Sequence, residues 1–354
     1  MAQTFDISQG LACPLPFADY KNVLLAHGGG GKLTQQLIQK MFLPQFDNEL
    51  LSPLHDGAVF GISDARVAFS TDSYVVNPIF FPGGSIGDLA VNGTVNDLAM
   101  CGASPRYLSA AFIIEEGLPM DDLWKIVLAM KDASRKAGVL LVTGDTKVVD
   151  RGKGDQIFIT TSGIGIVGPG VNVNPRNASP GDFILLNGSI GLHGIAVMSV
   201  REGLEFGTKI ESDTVALHGL TQSLLERAGS DIHVLRDPTR GGVASAVNEI
   251  AESAQAGITL DEEALPLTEE VRGACEMLGL DPLYVANEGK VLAFVAPAST
   301  EKALATMRAH PLGKDAALIG RVTAEHPGVV VMKSTIGGSR VVQMLSGEQL
   351  PRIC

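Results

Sequence analysis

The chain ends Pro351-Arg352-Ile353-Cys354. A thiol on the last side chain admits two readings. It is either a frayed end without meaning or a carrier that takes an acyl-type group from one active site to another. An exposed free thiol oxidises and cross-links, so keeping one has a cost. Fully extended, residues 345–354 would reach roughly 33 Å. Pro351 stiffens the approach to the tip. The neighbouring α-carboxylate opposes thiolate formation. A reactive Cys354 therefore needs Arg352 or a cationic pocket to lower its pKa from about 8.5.

Five aspartates recur in similar settings. Asp56 stands in His55-Asp56-Gly57, before a predicted strand, and Asp72 in Ser70-Thr71-Asp72-Ser73, after one. Asp97 closes Gly93-Thr94-Val95-Asn96-Asp97. Asp145 lies in Thr143-Gly144-Asp145-Thr146-Lys147, and Asp237 in Arg236-Asp237-Pro238-Thr239-Arg240-Gly241-Gly242. Each alone is also a turn or helix-capping residue. Together, beside small residues at strand ends, they fit the ligand crevice of an open α/β sheet. Hard oxygen ligands of this kind suit Mg²⁺ on a nucleotide. Asp88, Asn92 and Asn96 add a polar stripe at i, i+4 spacing on an otherwise apolar helix, and such a stripe needs partners.

The run His27-Gly28-Gly29-Gly30-Gly31-Lys32 is either a hinge or a phosphate cradle whose backbone N–H groups converge on an anion. It is not a Walker A loop, because Ala26 and Leu33 stand where that pattern needs Gly and Ser/Thr. Lys147 could balance phosphate charge. Glu288, in Asn287-Glu288-Gly289, and His193, between Gly191 and Gly194, are accessible carboxylate and imidazole candidates. Each also reads as a surface or capping residue. The other histidines show no metal-ligand spacing.

The totals bound the rest. At 354 residues, two domains are expected. A 45% hydrophobic content with 41 glycines suits an α/β chain. The net charge of −12 argues against nucleic-acid or anionic-membrane partners. No signal peptide or membrane span is evident. Four scattered cysteines suit a reducing cytoplasm and give no zinc signature. Residues 1–20 read as a loose arm, 21–170 as a first domain and 180–344 as a second, with residues 345–354 as a flexible tail. Strands are expected at 58–62, 66–71, 107–114, 139–142 (buried) and 156–167. Helices are expected after Lys32, from Ser85 to Met100 and over 121–136. In the second half, helices at 192–202, 213–228, 240–255, 268–278 and 300–309 alternate with strands.

Taken together, the quoted motifs and the terminal Pro351-Arg352-Ile353-Cys354 resemble the HypE family of [NiFe]-hydrogenase maturation factors, the carbamoyl dehydratases. The likeness runs from about residue 21 to residue 354. Its wider superfamily is that of aminoimidazole ribonucleotide synthetase and selenophosphate synthetase. The resemblance implies a two-domain α/β (α+β) fold, an N-terminal sheet that pairs across a homodimer, and ATP with Mg²⁺ between the domains. Asp56, Asp72, Asp97 and Asp237 would hold the metal. Gly29, Gly30, Gly31, Lys32, Asn96, Asp145, Thr146 and Asp237 would bind the nucleotide. Lys147, His193 and Glu288 would surround a thiocarbamoyl group on Cys354, with Glu288 the first choice of base and His193 the second. A HypF-type carbamoyltransferase would load the thiol, and a HypC–HypD type complex would receive cyanide. The chain departs from relatives in carrying Leu192, where they often have Asp before the His. Two other functions compete: a kinase or synthetase acting on a free small molecule, and a non-catalytic carbamoyl carrier.

Overall fold

The computed structural model describes residues 24, 27, 29–46, 48–203, 210–347, 350 and 352–354. The arm over 1–20, Cys13, Gly28 and Pro351 lie outside the described residues. The first elements are α1 (Lys32–Leu37), a π-helical turn (Ile38–Phe42) and α2 (Leu43–Phe46). Then come β1 (Ala58–Ile62), β2 (Ala65–Tyr74), a small hairpin of β3 (Phe80–Phe81) and β4 (Gly84–Ser85), and α3 (Ile86–Met100). They are followed by β5 (Ala103–Glu115), α4 (Met120–Ala137), β6 (Leu140–Val149) and β7 (Ile157–Val167).

A second set follows residues 168–182. It holds β8 (Phe183–Leu186), α5 (Leu192–Arg201), α6 (His218–Ala228), β9 (Ile232–Arg236), α7 (Gly242–Ala254) and β10 (Gly257–Asp261). It ends with α8 (Glu269–Leu278), β11 (Leu292–Val295), α9 (Thr300–Ala309), β12 (Ala317–Thr323), β13 (Val330–Lys333) and β14 (Ser339–Val341).

The strands form two mixed sheets, ordered β1-β2-β7-β5-β6 and β14-β13-β10-β12-β8-β11-β9. In the first only β5–β6 is parallel, and in the second only β10–β13 is parallel. Alternation of helices and strands thus gave the right elements with mostly antiparallel pairing.

The helix α3 is the spine of the first half. Apart from Asp88 and Asp97, its residues are all buried, because it lies between the first sheet, α4 and the second half. Ser85 caps it, accepting from the Gly87 N–H at 3.2 Å. The polar stripe finds its partners: Asn92 donates to Thr214 Oγ1 at 3.3 Å, and Asn96 donates to the Val215 carbonyl at 3.0 Å.

Two expectations are corrected. The helix predicted over 213–228 starts only at His218. Residues 212–217 run across α3 instead, held where the Ser212 N–H meets the Pro82 carbonyl at 2.8 Å and the Leu217 N–H meets Asn96 Oδ1 at 2.7 Å. The strand expected to be buried at 139–142 is the exposed edge strand β6. Its Leu140 is 63% and Val142 58% exposed, so its apolar character covers nothing within one chain.

Glycine at 87 lets α3 approach α4: a Cβ there would stand 2.5 Å from the Ile126 carbonyl oxygen. Gly273, on α8, faces open space. The same substitution should therefore have opposite signs. In urea unfolding, Gly87→Ala is expected to destabilise by about 1–3 kcal/mol through overpacking. Gly273→Ala should stabilise by about 0.5–1 kcal/mol through helix propensity.

Candidate active site

Two loops meet the C-terminal turn of α3 between the two halves of the chain. Asp56 precedes β1, Asp97 lies in the last turn of α3 and Asp237 follows β9. One carboxylate oxygen from each lies within 4.8 Å of the others. Asp56 Oδ1 pairs with Arg236 at 2.8 Å, while its Oδ2 is buried with no hydrogen-bond partner among the described residues. His55 Nδ1 lies 3.4 Å from that Oδ2, close enough to pair but without hydrogen-bond geometry. Ser70 Oγ donates to Asp97 Oδ2 at 2.7 Å.

The charges are unevenly compensated. Burial pushes the Asp56 carboxyl up, but Arg236 and His55 outweigh it and hold it below its ordinary value. Asp97 lacks such a partner. Burial and the charges of Asp237, Asp72 and Asp56 push it well above the usual carboxylate range. Asp237 is pushed up to about 8 by burial and by Asp56, against the pull of Arg236. Converging carboxylates, one with an orphaned oxygen, are the kind of donor set that can hold a hard divalent cation.

The C-terminal residues dock into the same chain. Ile353 makes an antiparallel bridge with Val76 and is buried against the α3 core. The Val75 N–H donates to the Cys354 carbonyl at 3.0 Å, and the Asn77 N–H to the Arg352 carbonyl at 3.2 Å. Arg352 pairs with Asp155 at 2.6 Å. The expected flexible tail is thus held at its tip as a short added strand.

Docking puts Cys354 beside Glu288, Arg240 and Asp72. Burial, outweighing Arg240 and joined by Glu288 and Asp72, pushes the thiol well above its ordinary value. The cationic partner anticipated from sequence exists as Arg240, yet it does not make a thiolate. Burial pushes the Glu288 carboxyl well up as well, and Asp237, Asp213 and Asp72 add to the effect. Glu288 Oε1 is buried without a hydrogen-bond partner among the described residues. The Glu288 backbone is fixed: its N–H donates to Asp213 Oδ1 at 3.1 Å, and its carbonyl accepts from Asn96 at 3.2 Å. Asp213 in turn pairs with the buried Lys290 at 2.8 Å.

His193 has a different place from that of a base. Its Nε2 lies 2.7 Å from the Ile353 carbonyl, and Nδ1 lies 2.8 Å from Ser212 Oγ. A carbonyl only accepts, so Nε2 carries the proton. Burial lowers the imidazole pKa, which leaves the ring neutral and Nδ1 accepting from Ser212. With the tail docked, His193 holds it and has no free nitrogen facing the thiol.

Other expected residues are redistributed. Asp72 joins the tail side of the site, 3.7 Å from Arg240, and is not in the three-carboxylate group. Asn96 was expected to face the nucleotide. Its amide is instead spent on the Val215, Glu288 and Leu217 backbone. Asp145, Thr146 and Lys147 are not brought to the cluster within one chain. Lys147 pairs with Asp145 at 2.5 Å on exposed β6. Register explains it: Asp145 shares a row with Ala111, Thr160 and Ser73, the solvent side of the sheet. Ser70, Asp72 and Tyr74 alternate to the α3 side. Gly30, with φ +72°, lies over Arg240, where a Cβ would be 2.8 Å from the arginine Cβ. The Lys32 N–H donates to the Leu345 carbonyl at 2.7 Å, at the root of the tail, and Gly31 packs on that carbonyl. Gly29 is half-buried beside them.

Asp213, Arg240 and Lys290 were not singled out in the sequence. Arg240 lies within a quoted motif and Lys290 adjoins one. Nothing in sequence marks Asp213, whose role depends on a segment crossing α3.

Comparison with known proteins agrees with this architecture. Residues 54–167 match the AIR synthase related protein N-terminal domain, and residues 179–333 its C-terminal domain. The chain is 54% identical over 330 residues to the carbamoyl dehydratase HypE of Rhizobium leguminosarum bv. viciae, covering 93% of this chain and 94% of that protein. It superposes on the crystal structure of hydrogenase maturation protein HypE in complex with ATP with a TM-score of 0.80 at 50% identity, covering 94% and 100% of the two chains. A crystal structure of a HypE–HypF complex matches with a TM-score of 0.83 at 50% identity, covering 87% and 99%. With two facing sheets, a carboxylate cluster and a docked terminal cysteine, the chain belongs to the HypE family of carbamoyl dehydratases.

Proposed function

We propose that this chain uses ATP to dehydrate a thiocarbamoyl group on Cys354 to a thiocyanate, the source of cyanide for hydrogenase iron. The observation that carries the reading is the docked tail, which sets the terminal thiol beside buried Glu288, whose Oε1 has no hydrogen-bond partner among the described residues. A relative solved with ATP supports the nucleotide, and one solved with HypF supports a carbamoyltransferase partner. Release of the cyano group to a HypC–HypD type complex completes the scheme.

The chemistry needs a leaving group better than hydroxide. The thiocarbamoyl oxygen attacks the γ-phosphorus of ATP, ADP leaves, and one N–H proton passes to Glu288. This gives S–C(=NH)–O–phosphate. C–O cleavage then forms C≡N, and the second N–H proton leaves with the departing phosphate as hydrogen phosphate. Glu288 in its ionised form is the base for the first transfer, and its unpartnered Oε1 is the atom that takes the proton. Asp56, Asp97 and Asp237 would hold Mg²⁺, which neutralises charge on the transferring phosphoryl group. Arg240 adds a fixed positive charge beside the thiol. Burial of the thiol opposes its ionisation here, so Cys354 is loaded when undocked and dehydrated when docked.

Asp145 and Lys147 enter this scheme only if a second copy covers the solvent side of the first sheet. That face is a row of exposed apolar residues, including Phe69, Tyr107, Ile113, Leu140 and Ile164, ending in the unpaired edge of β6. Such a face and edge need cover, which supports a homodimer through this sheet.

The deciding experiment is the mass of the peptide ending in Cys354. After carbamoylation by the partner enzyme, it should lose one water only when ATP and Mg²⁺ are added. Loading without water loss would make the chain a carrier. Failure to load would favour a kinase acting on a free substrate. Glu288→Gln is expected to slow water loss at least ~100-fold, read from the same peptide.

The metal site has its own test. Folded Asp97, Asp237 and Glu288 hold protons more tightly than when unfolded. Their contribution to stability is therefore full below the unfolded value of about 4. It is lost as pH rises through about 8 for Asp237. In thermal melts without Mg²⁺, stability should fall across that range. A fixed Mg²⁺ concentration of about 100 times the Kd measured at high pH should restore about 2.7 kcal/mol there, and less at low pH. An equal effect of Mg²⁺ in Asp97→Asn and the parent would overturn the site.

A further inference from the structure

The tail lies along one face of α5. His193, Gly194, Val197 and Arg201 fall at i, i+1, i+4 and i+8, a single helical stripe. His193 holds the Ile353 carbonyl. Gly194 lies against Val285 and Leu350, where a Cβ would stand 2.5 Å from Val285 Cγ1 and 3.1 Å from Leu350 Cδ1. Val197 shares the apolar cluster that takes Ile353. Arg201, the last residue of the helix, spans two chain segments. Its Nη2 donates to the Arg352 carbonyl at 2.9 Å, and its Nε donates to the Asn77 carbonyl at 2.9 Å. It therefore joins the tail to the very backbone against which the tail is bridged. The remaining ionic contact, Arg352 with Asp155, is partly exposed at both partners and holds less.

We infer that Arg201 is a positioning residue that latches the tail along α5, setting how long Cys354 stays at the Glu288 carboxylate. Its contacts are charge-assisted and directed at backbone carbonyls, so they hold the tail whatever cargo the thiol bears. The consequence for turnover rests on the dehydration reading. The latch itself does not. Releasing it favours the undocked thiol, so loading and dehydration should respond in opposite directions. A merely structural defect would lower both.

The test is the rate of alkylation of Cys354 by iodoacetamide in the full chain, mapped by mass spectrometry. The buried Cys101 and Cys275 serve as internal controls. Arg201→Ala is expected to speed modification of Cys354 about tenfold, the effect of losing a charge-assisted hydrogen bond, with both controls unchanged. Arg201→Lys, which keeps one donor group near the carbonyls, should recover part of the protection, and Asp155→Ala should raise the rate less than threefold or so. An unchanged Cys354 rate in Arg201→Ala overturns the latch. So does an equal rise at Cys101 and Cys275, which would mean general loosening. If protection falls as expected but the parent never loses water from a loaded tail, the latch stands and the dehydration reading fails.

Discussion

The accumulation of carboxyl groups in a space with few cations governs this molecule. Asp56, Asp97, Asp237, Asp72 and Glu288 influence one another's protonation. Arg236 is clamped between Asp56 and Glu249, at 2.8 and 2.6 Å, and Arg240 lies towards Asp72 and the tail. Carboxylates withdrawn from water cannot all ionise together unless positive charge arrives. A cation entering this space would relieve that crowding, which suits the proposed phosphoryl transfer to an amide oxygen.

The scaffold keeps this arrangement from relaxing. The helix α3 supplies the half-buried Asp97 and spends Asn96 one residue earlier on the 215–217 segment and on the Glu288 backbone. Asp213, on the same crossing segment, fixes Glu288 from the other side and is neutralised by Lys290. The proposed base is therefore held by neighbours in both halves of the chain. Its side chain keeps one oxygen uncommitted, while its backbone has little freedom.

The tail is held differently. Among the described residues its fixings are mainly backbone hydrogen bonds to residues 75–77 and side chains aimed at its carbonyls, with Ile353 as the buried apolar anchor. A few such contacts, each of modest net strength, suit the proposed movement of the tail between loading and dehydration. Burial of the thiol works in the same direction. It opposes ionisation of the docked sulfur, in keeping with the proposal that the thiol is loaded undocked.

Much of this was legible in the sequence. Periodicity located nearly every long helix and strand, because a 3.6 or 2.0 repeat of apolar residues records which face is buried. Strand-end aspartates beside small residues marked the carboxylate cluster, and the terminal cysteine marked the tail. The sequence by itself could not decide which aspartates share a cavity. Asp145 and Asp72 look alike as motifs, yet the two-residue alternation of paired strands turns them to opposite faces of one sheet. Nor could it show that β6 is an edge, that residues 213–217 leave the helical pattern to meet Asn96, or that His193 faces a carbonyl. Those outcomes depend on contacts between residues more than a hundred positions apart, and only the packed tertiary structure brings such partners within reach.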